Sequence, residues 1–264
     1  MKEINSAPEN AHGENLSHYC LCLSYDGTDF CGFQRQPEKR TVQGALERAL
    51  QNLYGYPVGI HGAGRTDAGA HARGQAASFK APVTVPTERL PQALNRFLPP
   101  DIRVWAAQDV PQSFHARYSA QGKKYSYTID QARVYRVLER RYAYHLPEGL
   151  HLDAMTQGGE VLQGTHDFRA FQAVGSPVSE TVRTLWQVKV IRYDENHFLR
   201  LEVTGNGFLY KMVRFIAGAL IEIGRGKLSL EDLTDALQPA SEQHKGRKWP
   251  ALPARGLCLE EVYY

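Results

Sequence analysis

Residues 62–72 read Gly-Ala-Gly-Arg-Thr-Asp-Ala-Gly-Ala-His-Ala. Arg65 stands two positions before an acid, Asp67, and small residues surround both. In extended backbone, residues i and i+2 project the same way, so Arg65 and Asp67 can share one opening, the guanidinium serving as counter-charge to the acid. The flanking glycines and alanines leave room for a flat ligand to approach the backbone. A carboxylate so placed can act as nucleophile or general base. The same spacing also fits a plain turn in which Asp67 does no more than bond to loop amides. Two phosphate-cradling alternatives fail. Gly64 and Gly69 have the P-loop interval, but Ala70 and His71 replace the lysine and hydroxyl residue that such a loop needs. Gly62-x-Gly64 starts a dinucleotide fingerprint, but Asp67 occupies the place of its third glycine.

The elements on either side must hold this loop. His18–Tyr25 is a nearly continuous apolar run stopped at Asp26-Gly27, which predicts a buried strand and a turn. Val42, Leu46, Ala49, Leu50 and Leu53 recur on one helical face, and Thr41 is a suitable N-cap. Short strands are expected around Val58–His61, at Gln75–Lys80 and at Ile102–Ala107. The glycine-rich segment 62–74 is expected as a loop, and a helix is expected within Thr87–Leu98. In the second half Lys123–Ile129 alternates as a strand with Tyr125, Tyr127 and Ile129 on one face, and Leu152–Leu162 suggests a helix. Thr184–Tyr193 and His197–Thr204 read as a hairpin turning at residues 194–196. Tyr210–Ile223 is a strongly apolar helix stopped by Gly224, Ser229 can cap a last helix with Leu230, Leu233 and Leu237 inward, and a final strand runs through Leu257, Leu259 and Val262. The expected organisation is a polar tail (1–17) followed by two α+β domains, 18–115 with the Asp67 loop and 116–264. A faint echo between residues 27–34 and 164–172 hints at duplication but is too short to establish it.

Composition narrows the class. The chain has 264 residues, 42% hydrophobic content and a formal net charge of +3, which fits a globular protein and permits a polyanionic partner without demanding one. The cysteines, Cys20, Cys22, Cys31 and Cys258, form no C-x-x-C pair and read as buried reduced thiols. The polar first seventeen residues lack an apolar signal core, and no run approaches the ~20 apolar residues of a membrane span. A cytoplasmic location is the expectation. The ten histidines show no metal-ligand spacing.

The segment GRTDAGAHA resembles the signature of the tRNA pseudouridine synthase A family, which centres on G-R-T-D-A-G-V-H, with Ala70 in place of the valine. Residues 25–50, YDGTDFCGFQRQPEKRTVQGALERAL, are similar to the family's N-terminal block, Phe33 replacing a tryptophan. FHARYSAQGKKYSY (114–127), GNGFLYKMVRFIAGALIEIGRG (205–226) and PARGLCLEEVYY (253–264) resemble three further blocks, in the family's order.

The resemblance implies isomerisation of uridine to pseudouridine at positions 38, 39 and 40 of the tRNA anticodon stem-loop, with no cofactor and no metal. The essential aspartate maps to Asp67. The motif arginine, thought to fill the space of the flipped base and to pair with the acid, maps to Arg65, and the tyrosine that stacks on the base maps to Tyr125. Leu257 maps to the leucine closing the other side of the pocket, while Lys123, Lys124 and Arg214 of the matched blocks are candidate substrate contacts. The implied fold is α+β: two RNA-recognition-module-like domains forming one extended, mainly antiparallel sheet flanked by helices, with a basic cleft between them, in a homodimer. Basic residues among aromatics, Arg133, Arg136, Arg140 and Arg141 with Tyr135, Tyr142 and Tyr144, and Lys245, Arg247 and Lys248 before Trp249, suit phosphates and stacked bases. His71 and His115 are expected to hold loops. A silent RNA-binding protein, a synthase for another RNA site and an aspartate-dependent nucleoside hydrolase remain as rivals.

Overall fold

The computed structural model describes residues 16–175, 178–193, 197–238 and 249–264. The tail up to residue 15, the turn expected at 194–196, and Lys245, Arg247 and Lys248 lie outside the described residues. The chain builds an α+β structure around one mixed, mostly antiparallel sheet. Its strands are β1 (Ser17–Tyr25), β2 (His61–Gly62), β3 (His71–Ala81), β4 (Ile102–Asp109), β5 (Gly122–Asp130), β6 (Tyr144–His145), β7 (Gly164–Asp167), β8 (Val182–Tyr193), β9 (Phe198–Gly205) and β10 (Leu257–Tyr263). The order across the sheet is β4-β1-β3-β10-β5-β9-β8-β7, with β2 added to β3 and β6 to β5.

The latest strand in sequence thus lies in the middle of the sheet. β10 runs antiparallel to β5 and touches β3 in parallel through Cys258↔His71 and Leu259↔Ala72. Tyr25 pairs with Ala72, Ala72 with Leu259 and Leu259 with Tyr125. These four side chains therefore share one face across β1, β3, β10 and β5, because cross-strand partners point the same way.

The helices follow their sequence signals closely. α1 (Val42–Tyr54) buries Val42, Ala45, Leu46, Ala49 and Leu50, and the Thr41 side chain accepts a hydrogen bond from the Gly44 N–H. Gly55 closes it in the left-handed conformation at φ 83°, where a residue without Cβ is favoured. In the expected 87–98 helix the chain makes a 3-10 turn first, and α2 covers only Leu90–Asn95. α3 spans Leu152–Leu162 as expected. α4 (Met212–Gly224) starts two residues later than its apolar run, because Lys211 takes φ 61° and breaks the helical backbone there. α5 (Leu230–Asp235) carries a capping box in which Ser229 and Asp232 exchange side-chain and backbone hydrogen bonds, as the S-x-x-acid spacing predicts. Leu233 and Leu237 are buried and Leu230 is half-buried.

Four expectations are corrected. The segment 71–74 belongs to β3, not to a loop, because it finds partners in β1 and β10 that local sequence does not reveal. The strand expected at 58–61 shrinks to His61–Gly62. The echo at 27–34 and 164–172 is not a repeat of local structure: the first segment is irregular and the second forms β7 and a 3-10 turn. All four cysteines are free, but only Cys20 is fully buried and Cys31 is exposed.

Candidate active site

The loop between β2 and β3 is held by hydrogen bonds from three directions. The Ala70 N–H donates to the Asp67 carbonyl at 3.1 Å, closing a turn whose third residue, Gly69, has φ 79°. A type II turn requires positive φ at that place, which explains the glycine. The Thr66 hydroxyl and the Tyr25 hydroxyl lie 2.7 Å apart, and the Phe33 N–H donates to the Thr66 carbonyl at 3.2 Å. Gln75 donates to the Gly64 carbonyl at 2.9 Å. Gly27 packs so tightly under the loop that a Cβ there would stand 1.8 Å from the Ala70 oxygen.

Asp67 therefore emerges from a rigid turn. One of its oxygens, Oδ2, accepts from Arg214 Nη1 at 2.6 Å. Arg214 projects from the first turn of α4, and its Nε donates to the Leu252 carbonyl at 2.6 Å. The planar guanidinium is thus fixed at two edges, which orients the carboxylate. Both side chains are about one-seventh exposed, 15% and 14%, so the pair has limited access to water. Among the described residues Asp67 Oδ1 has no hydrogen-bond donor, leaving that oxygen available to a ligand.

Tyr125 and Lys123 of β5 reach the same space from below. A Cβ built on Gly64 would lie 3.5 Å from Lys123 Nζ and 3.6 Å from the Tyr125 hydroxyl. The absence of a side chain on Gly64 keeps that volume open. Burial pushes the Tyr125 hydroxyl pKa up, with the nearby Tyr25 and the Asp67 charge adding to it, so the phenol stays protonated and able to donate. Burial pulls the Lys123 amine down to about 8, with the Arg117 charge contributing. Lys123 has no carboxylate partner among the described residues. Phe208, in the turn before α4, meets the Tyr125 ring edge-on at 4.9 Å and fixes its tilt. Leu257 is buried on β10 opposite Tyr127, one step along the same face from the Leu259–Tyr125 pair. The Tyr127 hydroxyl donates to the Pro253 carbonyl at 2.8 Å, which marks it as a packing residue.

Of the seven side chains singled out from sequence, five gather here: Asp67, Tyr125, Lys123, Leu257 and Arg214. Arg65 is exposed on the loop and makes no ion pair among the described residues; the counter-ion of Asp67 is Arg214, 147 positions away. The i, i+2 spacing would bring Arg65 beside Asp67 only in a strand, and residues 65–67 lie outside any strand. Lys124 follows Lys123 in a strand, so it points to the opposite face, where it pairs with Glu202 at 2.8 Å. Phe208 and Gly64 were not singled out as site residues; each is an ordinary residue of a matched segment, and only the fold brings it to Tyr125.

The flanking basic residues are partly committed. Arg136 lies 3.6 Å from Asp130 and Arg141 within 3.9 Å of Asp26, while Arg133 and Arg140 are exposed. The Tyr142 hydroxyl donates to Asp26 at 2.8 Å. Trp249, expected beside RNA, is buried and stacks on Phe171 at 5.0 Å. His71 Nδ1 accepts from the Gly27 N–H at 3.1 Å while Nε2 reaches the Arg141 carbonyl at 2.8 Å, which ties the loop's exit to two other segments. Among the described residues no three His, Cys, Asp or Glu side chains are placed to hold a metal ion. No helix among them is long and apolar enough to cross a membrane.

Comparison with known proteins gives one consistent picture. A family model described as tRNA pseudouridine synthase matches residues 21–119 and 160–264. The chain is 46% identical over 246 residues to tRNA pseudouridine synthase A of Moorella thermoacetica, covering 92% of this chain and 98% of that protein. It is 41% identical over 244 residues to the protein of the same name from Acetivibrio thermocellus, with 92% and 98% covered. A Geobacter protein, also so named, is 43% identical over 244 residues, with 92% and 97% covered.

Proposed function

We propose, from the premise that the chain belongs to the tRNA pseudouridine synthase family, that Asp67 is the catalytic residue of an isomerase that converts uridine to pseudouridine in the anticodon arm of tRNA. The reaction detaches uracil from its ribose at nitrogen and reattaches it through carbon. The base loses a hydrogen from C5 and gains one at N1, so no cofactor or co-substrate enters the balance. The observation that carries the reading is the Asp67 carboxylate itself. One oxygen is anchored by Arg214 at 2.6 Å, and the other has no hydrogen-bond partner among the described residues; we take Tyr125, Lys123 and Leu257 as the walls of the space it serves.

A base within a duplex must be turned out to reach such a pocket, at a cost of a few kcal/mol. Tyr125 and Leu257 form opposite sides of a slot for the flat ring, and the protonated Tyr125 hydroxyl supplies a hydrogen bond and a proton path. Arg65, exposed at the mouth, takes the place the base has left in the stacked strand. Lys123, at the pocket's inner edge, gives a charge for the neighbouring phosphate. Lys124 faces away and is assigned no role in the pocket. The proposal includes the uridines on the 3′ side of the anticodon arm as targets, a homodimer as the working form, and a cytoplasmic location. It also includes a division near residues 112–122 into two domains whose sheets join where β3 meets β10.

The test is tritium release from unmodified tRNA labelled at uracil C5. Release by the wild type, with none by Asp67→Asn at tRNA affinity within a few fold, is expected. Release of free uracil instead would identify a hydrolase. Binding without release from any tRNA would point to a silent RNA-binding protein.

A further inference from the structure

The turn after β4 and the Val110–Phe114 stretch is built by one histidine. The Arg117 N–H donates to His115 Nδ1 at 3.1 Å, the His115 N–H donates to the Ser119 hydroxyl at 3.0 Å, and the Ser119 N–H donates back to the His115 carbonyl at 2.9 Å. An imidazole that accepts at Nδ1 must be unprotonated there. Burial, and then the neighbouring His61, push His115 below its ordinary value, in keeping with that state. The turn projects Arg117 and Tyr118 outward.

Three rings are layered beneath it. His61, at the start of β2, lies 5.0 Å from His115, and His115 lies 4.4 Å from Tyr118. Tyr118 is 75% exposed, and the Arg117 guanidinium sits 5.5 Å from its ring centroid. An exposed ring backed by a second ring and flanked by a cation is an arrangement able to stack a nucleobase. Its position is equally specific. His61, against which His115 packs, belongs to β2, directly before the loop that carries Asp67, and the turn leads into β5, whose Lys123 borders Gly64 of that loop and Tyr125. Exposed Arg65 lies on the same loop.

We infer that Tyr118, held up by His115 and His61, is a stacking platform for an unpaired RNA base next to the nucleotide in the pocket, with Arg117 contacting the phosphate between the two. The inference rests on the proposed function and adds a second base site to it. Stacking on one such ring is worth roughly 1–3 kcal/mol per base, that is, about a five- to 150-fold change in affinity. A hydrogen bond from the tyrosine hydroxyl plays no part, so any flat ring suffices.

The experiment measures Kd and tritium release for unmodified tRNA transcripts with wild type, Tyr118→Ala, Tyr118→Phe, Tyr118→Trp and Arg117→Ala. Expected are a loss of affinity of about tenfold for Tyr118→Ala with kcat within about twofold, and values within about twofold of wild type for the phenylalanine and tryptophan variants. Arg117→Ala lowers the slope of log Kd against log salt by about one. A transcript with an abasic nucleotide beside the target loses affinity for the wild type but not further for Tyr118→Ala. Because Tyr118 is exposed, its variants should melt with the wild type. Unchanged affinity in Tyr118→Ala, an equal loss in Tyr118→Phe, or an abasic penalty that adds to that of Tyr118→Ala would each overturn the inference. Absence of tritium release by the wild type would instead defeat the proposed function, and is thereby distinguished.

Discussion

Removing the guanidinium of Arg214 tests the structure most directly, because that group connects stability to chemistry. At a charge separation of about 4 Å and an effective dielectric near 20, the Asp67–Arg214 attraction is about 4 kcal/mol, and desolvation of two largely buried ions offsets much of it. Arg214→Leu leaves the Asp67 carboxylate without its counter-ion and strips the Leu252 carbonyl of its Nε donor. The expected loss of folding stability is about 2–4 kcal/mol, or roughly 4–16 °C in Tm for a chain of this size. Turnover should fall at least a hundredfold, since an untethered carboxylate loses its orientation. Arg214→Lys should recover only part, because one ammonium cannot reproduce a fork that holds Leu252 and Asp67 together. The decisive form is a double-mutant cycle with Asp67→Asn, measured by urea unfolding. The double variant Asp67→Asn/Arg214→Leu leaves neither charge alone and should be less destabilised than the two singles added, by about 2 kcal/mol. Additivity within about 0.5 kcal/mol would refute the claim that the pair is coupled.

Three further outcomes are expected. Arg65→Ala, at an exposed site with no ion pair to lose, should keep stability within about 0.5 kcal/mol and weaken turnover more than tRNA affinity; a tenfold loss of affinity at normal turnover would contradict its place at the pocket mouth. Gly27→Ala puts a methyl 1.8 Å from the Ala70 oxygen, so the loop must shift; urea unfolding should show a loss of 2 kcal/mol or more, with activity falling alongside. Lys123→Met should stabilise the fold at pH 7 by up to a few kcal/mol. The wild-type amine titrates near 8 in the folded protein and near 10.4 when unfolded. Below about pH 8 the amine is protonated in both states and the penalty is complete. Between 8 and 10.4 the wild type gains stability as pH rises, and the advantage of the methionine variant should shrink to nothing. A difference that does not change with pH would show that the amine is not desolvated.

Much of this was legible from sequence wherever the signal was local. Thr41 before the α1 periodicity, the whole of α3, and the Ser229 cap all follow from neighbours within four residues. The motif blocks also name Asp67 and Arg214, which the fold joins in one ion pair, and Tyr125 and Leu257, which it sets on one face of the sheet. The wiring of these residues was not legible. Arg214 reaches Asp67 across 147 positions, and the spacing argument favoured nearby Arg65 instead. The strand character of His71–Gly74 depends on β10, some 187 residues later, so a glycine-rich stretch gave no hint of it. Lys123 and Lys124 look interchangeable as letters, and only strand alternation sends one to the pocket and the other to Glu202. Lys211 hides inside an apolar run, and its left-handed backbone moves the start of α4 so that Arg214 falls in the first turn.

The central position of β10 bears on how the molecule is made. During synthesis β1, β2, β3 and β4 can pair with one another well before residues 257–263 exist, and the His71–Gly74 part of β3 then presents an open edge. Such an edge invites pairing with other chains, and closing it requires contacts of very long sequence separation, which slows folding. Leu257 and the Pro253 carbonyl that receives Tyr127 arrive only with that same segment. On the proposed function, a chain that stops short of it lacks Leu257, the second wall proposed for the base slot, so partial products bearing Asp67 should not modify RNA until β10 has been inserted.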